Sequence, residues 1–408
     1  MVFTKHKRQI AILYISTLLG VLLGMLSSIV NTRFLSPTEY GDVRYIQNMV
    51  NFIAVFLLFG YFLSGARLMA LSNSTSYCRR VKGMMTIILS LSCLMLILLM
   101  PVCYLFHTSS PSVAKLFLVS MPVCCYPLFQ YYIDQTTAGD NQMGRLSLAR
   151  ILPYLIYVPL AYTCYSLFGV SSTIMVLLQW GIYSLVFIGI ILSTRPLFRN
   201  LKPIWSSLQE ENRKYGIQLY IGSLVMVATN YLAGISLGYF NSENSEVGFY
   251  TLALTVTSPL VALPTIVGTT YFKKFASQSF IPTKVIVFTV LMTMATCILF
   301  LLLIHPVVTF LYTEQYAIVG TYAAYLSVGF CIHGLGDMFN RYLCSHGQGI
   351  AIRNASIVNG VIKILGYVVL VMLFNTQGAI ATTIICDVVY FACLLYYYKK
   401  FVKASSHG

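Results

Sequence analysis

Charge is what this chain has least of. Asp and Glu together number 11, and all charged residues make up 9% of 408, against about 25% in an ordinary soluble domain. A free-standing soluble domain is therefore not expected. Catalytic signatures are missing too: there is no Walker A loop, no GxSxG and no HExxH, so ATP hydrolysis in this chain is not expected. The 11 Cys are scattered without zinc or haem spacing, and Cys124 and Cys125 are adjacent rather than a CxxC pair; they read as small apolar fillers kept reduced. The net charge of +15 comes without a basic cluster interleaved with aromatics in a soluble segment, which argues against nucleic acid as a partner.

What the chain has in abundance is apolar length. Hydrophobic residues make up 58%, and twelve runs of about 20 residues are each long enough to cross a hydrocarbon core of about 30 Å as a helix. They lie near residues 10–31, 45–66, 84–106, 114–134, 147–168, 173–193, 216–238, 249–271, 285–304, 316–337, 352–374 and 378–398. Pro122, Pro127, Pro153, Pro159, Pro259 and Pro264 fall inside runs and predict kinked helices. The basic start MVFTKHKRQ precedes a run that continues to about Val30 with no small-residue cleavage pattern, so it reads as a retained first span.

Basic residues set the orientation. Of the 26 Lys and Arg, 22 fall on one side of the predicted spans, including Lys5, Lys7 and Arg8 at the start and Lys399, Lys400 and Lys403 at the end. Arg33, Arg44 and Lys115 fall on the other side, and Lys363 lies within a span. The asymmetry predicts both termini in the cytoplasm and ties the net positive charge to topology and anionic lipid head groups.

The chain also repeats itself. RFLSPTEYGDVRYIQNMVNF at 33–52 aligns with YFNSENSEVGFYTLALTVTS from 239, setting Glu39 and Gly41 against Glu246 and Gly248 at an offset of 207. Arg67 then meets Lys274, and at an offset of 208 Gly139 meets Gly347 and Arg145 meets Arg353. One six-span unit is used twice, in parallel topology because the number of spans per unit is even. The predicted division is 1–193, a cytoplasmic linker at 194–215, and 216–408. Within 33–43, Ser36-Pro37 reads as the start of a turn and Gly41 as a source of backbone freedom in an outer connection.

The segments LSPTEYG, SGARLMA, NSENSEVGFY, LYTEQY and GQGIAIRNASIVNGVIKI carry a resemblance over essentially the whole chain. The sequence resembles the polysaccharide-transport branch of the multidrug/oligosaccharidyl-lipid/polysaccharide exporter superfamily, and within it a Wzx-type O-antigen or related repeat-unit flippase. The resemblance implies an all-α membrane protein whose two six-helix lobes form a V around a central cavity. It also implies passage of an undecaprenyl-diphosphate-linked oligosaccharide across a bacterial inner membrane, without a cofactor or covalent chemistry. A polysaccharide polymerase and a chain-length regulator are the protein partners it suggests.

Charges inside the bilayer cost roughly 2.5–3.5 kcal/mol on translocon scales, so they need a partner, water or a task. Lys363 and Asp387 lie about 20 and 17 Å deep from an outer turn near residue 376 at about 1.5 Å per residue, so they are predicted to meet across the last helical hairpin. Arg353, Ser356, Asn359, Lys363 and Tyr367 follow i, i+3 and i+4 steps and form one polar stripe on span eleven. Such a stripe suits either a cationic cavity wall for a diphosphate or acidic sugar, or an ion pair that locks the last two spans. Arg33 stands against the positive-inside bias. Its options are pairing with Glu39 or Asp42, snorkelling to lipid phosphates, or bidentate contact with a diphosphate, and the first two apply to Arg44 as well. Asp134, Arg145 and Arg150, with Asp337 and Arg341, sit at inner span ends as gate elements or as solvated charges. His333 reads as a core histidine rather than a proton site, and Tyr154 and Tyr157 as residues able to stack on sugars. Two other functions fit less well. A cation-coupled drug exporter needs a carboxylate buried in the first three spans, and a glycan polymerase or ligase needs a large outer loop; neither feature is present in the predicted spans and connections.

Overall fold

A computed structural model describes residues 2–107, 110–241 and 243–405. The side chains of Lys5, Lys7, Arg8 and Lys273, counted above, lie outside the described residues. Among the described residues there is no β-strand. In the first half the helices are α1 (Val2–Phe34), α2 (Pro37–Phe56), α3 (Tyr61–Ala70), α4 (Thr75–Phe106), α5 (Pro111–Ser120), α6 (Tyr126–Gly139), α7 (Met143–Phe168) and α8 (Ser172–Ser193). They are followed by α9 (Lys202–Glu211), a π-helical turn Asn212–Gly216, α10 (Ile217–Phe240), α11 (Ser245–Thr257), α12 (Pro259–Phe275), α13 (Thr283–Tyr312), α14 (Ile318–Ser345) and α15 (Gly349–Ser405).

All twelve apolar runs are mainly helical, with breaks at 57–60 and 121–125. Among the described residues eight helices are long and apolar enough to cross a membrane, and the bent pair α2–α3 makes a ninth. α15 breaks at Asn375 (φ 49°, ψ −130°) into two arms, 349–374 and 376–405, and α10 and the pair α5–α6 complete the twelve. The repeat seen in the sequence returns in the helix ends. Arg67 and Lys274 lie near the C-termini of α3 and α12, and Arg145 and Arg353 in the first turns of α7 and α15.

Proline explains part of the irregularity. Pro122 lies between α5 and α6, Pro259 opens α12, and Pro153, Pro159 and Pro264 lie within helices, as do Pro101 and Pro306. One bend has no proline. α2 and α3 meet at 62°, through Phe59 (φ 47°) and Gly60 (φ 76°). A break at membrane depth survives only if its freed carbonyls find donors. Tyr220 Oη donates to Phe56 O (2.9 Å), Ser92 Oγ to Leu57 O (2.8 Å) and Asn212 Nδ2 to Phe59 O (3.1 Å).

The segment 33–43 differs from its reading as a turn-rich connection. Only Leu35 and Ser36 are non-helical, and Pro37 already occupies the first turn of α2. Ser36 accepts from the Glu39 backbone N–H, while its own N–H donates to Glu39 Oε2 (3.1 Å), closing a capping box with proline at its preferred place. Gly41 is buried inside the helix rather than placed in a turn.

The chain forms two compact units, Met1–Tyr231 and Leu232–Gly408. In the first, residues 195–216 fold back onto the helices before them. Leu197 N donates to Arg79 O (2.9 Å), Trp205 stacks on Tyr61, and Arg67 pairs with Glu211 (2.7 Å) beneath the ring of Tyr215. Lys82, counted with the cytoplasmic charges, is only 1% exposed and pairs with Asp140 at 2.5 Å. In the second unit, Phe275, Met338, Phe339, Tyr342, Tyr390 and Tyr398 belong to a common core cluster joining α12, α14 and the second arm of α15.

Candidate functional site

The polar stripe of span eleven is built as its spacing predicts, and it turns inward. Asn359 and Tyr367 are buried, Lys363 and Ser356 partly so, and Arg353 at the helix start is exposed. Tyr367 and Tyr250 of α11 both reach Thr383 Oγ1, at 3.1 and 2.8 Å. That hydroxyl shared by two phenols holds the two arms of α15 and α11 in register. Asn359 Oδ1 is buried and accepts no hydrogen bond from the described residues.

Asp387 is buried, at 6% exposure. Its Oδ1 lies 2.8 Å from His333 Nδ1, and Lys363 lies within electrostatic reach of the same carboxylate. The first partner is thus a histidine from α14, which periodicity could not supply because α14 and α15 meet only in the folded unit. Gly329 makes room: a Cβ there would lie 3.0 Å from Asp387 Oδ2. His333 also stacks on Tyr390 at 4.6 Å, so the core histidine is satisfied on both an edge and a face.

Asp337 and Arg341 do not form the pair their spacing allows. Asp337 accepts from Thr265 Oγ1 and Tyr390 Oη, each at 3.0 Å, while Arg341 is exposed. In the first unit, Arg145 donates to Ser193 O (2.7 Å) and to Gln142, and Arg150 to Thr17. Asp134 is partly buried, with Arg150 near enough to act on it electrostatically. Arg33 ends α1 and is exposed, and Glu39 is occupied by the Ser36 cap. Arg44 points elsewhere, over the ring of Tyr40 at 4.8 Å and onto Gln47 at 2.6 Å. A cavity of about 220 Å³ beside the α2–α3 break is mainly apolar, with Gln135, Tyr131 and Tyr220 among its lining residues.

The structure therefore brings Lys363 within electrostatic reach of Asp387, with Asn359 one turn before Lys363 and Arg353 near the start of the same helix. It adds His333, Tyr390 and Thr383, whose participation only the packing of distant helices reveals. The arrangement offers a cation, a carboxylate and several hydroxyls inside an apolar helical unit.

Solved structures of similar fold share this architecture. The lipid II flippase MurJ in an inward closed conformation matches with a TM-score of 0.75 at 13% identity, covering 95% of this chain and 87% of that one. An inward-facing multidrug resistance MATE family transporter of the MOP superfamily matches with a TM-score of 0.69 at 15% identity over 94% and 95%. A MOP superfamily transporter from Pyrococcus furiosus matches with a TM-score of 0.60 at 14% identity over 98% and 96%. No curated protein sequence matches. Residues 7–272 match the family model described as polysaccharide biosynthesis protein. With its twelve-helix, two-unit fold and this match over more than half its length, the chain belongs to the polysaccharide biosynthesis protein family.

Proposed function

We propose that this protein is a flippase that carries an undecaprenyl-diphosphate-linked oligosaccharide, of the O-antigen or similar repeat-unit class, from the inner to the outer face of a bacterial inner membrane. The observation that carries the reading is the inward-turned stripe of span eleven, where Lys363, Asn359 and Asp387 place charge and hydrogen-bonding groups in an otherwise apolar unit. Membership of a polysaccharide biosynthesis family supports a glycan cargo, and likeness in fold to a lipid II flippase supports a lipid-linked one. The cationic groups Lys363, Arg353 and Arg33 attract the diphosphate, while alternating access between lobes 1–193 and 216–408, joined by 194–215, moves it. Asp134, Arg145, Arg150, Asp337 and Arg341 act as gate elements on the cytoplasmic side. A polymerase and a chain-length regulator receive the product outside.

Two outcomes check this reading. Both termini lie in the cytoplasm, so alkaline phosphatase fused after Ser110, Asn244 or Asn375 is active in the periplasm; a cytoplasmic signal from any one breaks the map. In a strain lacking the chromosomal copy, lipid-linked glycan accumulates on the inner leaflet and surface glycan disappears, and both recover with the intact protein. In the same assay, Arg33→Lys loses surface glycan about as severely as Arg33→Ala, more than about tenfold, because an ammonium keeps the charge and loses the guanidinium fork. Near-normal glycan from Arg33→Lys removes the bidentate contact, and near-normal glycan from Arg33→Ala removes Arg33 from the path. Unchanged lipid-linked glycan in the deletion strain overturns the function itself.

A further inference from the structure

The first unit contains a guanidinium with no carboxylate to balance it. Arg44 lies two turns into α2, about 10 Å along the helix from Pro37 at about 1.5 Å per residue. The ion pairs found among the described residues do not include it. Its Nε is buried and without a hydrogen-bond partner. Its other contacts are to neutral groups, Gln47 and the Tyr40 ring, and a partly buried guanidinium held only by neutral partners suits an anion.

Its surroundings point to the kind of anion. Tyr40, Arg44, Gln47 and Asn51 follow i, i+4, i+7 and i+11 and share one face of α2. Gln47 receives a hydrogen bond from Arg44 and donates to Tyr126 Oη at 3.1 Å, and Asn51 also reaches that phenol. Tyr154 and Tyr183 lie within electrostatic reach of Arg44. Behind them Trp180 lies 5.1 Å from the Tyr126 ring, fully buried, with its indole N–H unpartnered, and neighbouring Gln179 has an orphaned Oε1. Arg44, Gln47, Asn51 and Tyr154 keep part of their surface accessible, whereas Tyr126, Trp180 and Tyr183 are buried. The cluster has an open side and a closed aromatic floor. Aromatic rings beside hydrogen-bonding amides suit the faces and hydroxyls of a sugar, and an unopposed guanidinium suits an oxyanion on it.

We infer that Arg44, with Gln47, Asn51, Tyr126, Tyr154 and Trp180, forms a binding site for a sugar bearing an oxyanion, either a carboxylate or a phosphoryl group. The site is built wholly from residues of the first unit and shares none with the stripe of span eleven, so it holds or fails independently of the proposed transport reaction.

Trp180 is one of 2 tryptophans, and the other, Trp205, stacks on Tyr61 from α9. Trp205→Phe therefore leaves a single tryptophan, on the floor of the site, to be excited selectively at its red edge. The full-length Trp205→Phe protein is titrated in maltoside detergent free of phospholipid with glucuronate, glucose 1-phosphate and, as the neutral control, glucose. At least one acidic sugar is expected to change Trp180 emission saturably at concentrations at least tenfold below glucose, and whichever is preferred identifies the carboxylate or the phosphoryl group as the source. Adding Arg44→Gln closes that gap, while Arg44→Lys keeps part of it. Equal responses to glucose and both acidic sugars in the Arg44 protein overturn the site without reference to any variant. So does a gap that survives Arg44→Gln in monodisperse protein. A response to phosphatidylglycerol with none to either acidic sugar assigns Arg44 to lipid head groups and also overturns the proposal.

Discussion

Lys363→Ala abolishes glycan export while the protein still accumulates in the membrane. The expectation follows from the partners of the residue that Lys363 faces. Asp387 is held by His333 at 2.8 Å, so removing the ammonium leaves the carboxylate with a hydrogen bond and does not strand it. Helix packing around Gly329 is likewise unchanged, since that contact is made by Asp387 and Ile384. What is lost is a cation on a stripe whose other members, Asn359 and Tyr367, are buried in the unit. A cargo-binding cation and a merely structural one are separated by a charge-neutral double variant. Lys363→Leu with Asp387→Asn removes both charges and keeps an acceptor for His333, and apolar replacement of a buried charge is often neutral or stabilising. Surface glycan measured at matched membrane abundance stays at least about tenfold down in both variants if Lys363 touches the diphosphate or an acidic sugar. Full export by the double variant reduces Lys363 to a counter-charge.

Gly60→Ala and Gly216→Ala give the largest losses of stability. Gly60 has φ 76°, and a Cβ on it would lie 2.7 Å from the backbone of Gly216. The left-handed conformation costs a side-chain residue about 1 kcal/mol or more, and here the obstacle is main chain that cannot rotate aside. A Cβ on Gly216 would lie 2.0 Å from Ser64 Oγ and 2.3 Å from Asn212 Oδ1. Those two atoms are 3.1 Å apart and hydrogen-bonded, and Asn212 also supplies the donor for Phe59 O. Displacing them orphans a carbonyl in the break of α2–α3, at a cost of about 1–3 kcal/mol. Each substitution is expected to cost about 3 kcal/mol or more and to lower Tm by about 6–12 °C for a unit of this size, read by thermal unfolding in detergent and by membrane abundance. Gly189→Ala in α8 is the control, because nothing lies within 4 Å of its Cβ position. The close-approach argument fails if either variant unfolds alongside Gly189→Ala.

Much of the fold was legible because it depends on local composition. A run of about 20 apolar residues favours helix in lipid, whatever its neighbours, and each of the twelve is mainly helical. The stripe Asn359, Lys363 and Tyr367 was legible for the same reason, since helical periodicity places those side chains on one face before any packing is known. Even the capping box was written locally, in Ser36, Pro37 and Glu39, although the charged composition of 33–43 suggested a turn instead. Gly41 misled because a glycine inside a helix and a glycine in a turn look alike in sequence.

Partnership was not legible. Asp387 and Lys363 were matched by depth along one hairpin, which is all that two adjacent spans can reveal; His333, 54 positions away, arrives on another helix and takes the nearer bond. Arg44 read as a surface cation beside two acids, yet its environment is made by Tyr126, Tyr154 and Tyr183 from three later helices. The bend between α2 and α3 has no proline, and its carbonyls are held by Ser92, Asn212 and Tyr220, the farthest of them 164 positions away. By itself the sequence determined that the chain is a two-part array of membrane helices with polar groups on chosen faces, because hydropathy and periodicity act over a few turns of one helix. Only the tertiary structure decided where a helix breaks and which buried charge meets which partner, because a freed carbonyl or an unsolvated ion is stabilised by whatever group folding brings within about 3 Å, and that distance has no counterpart along the chain.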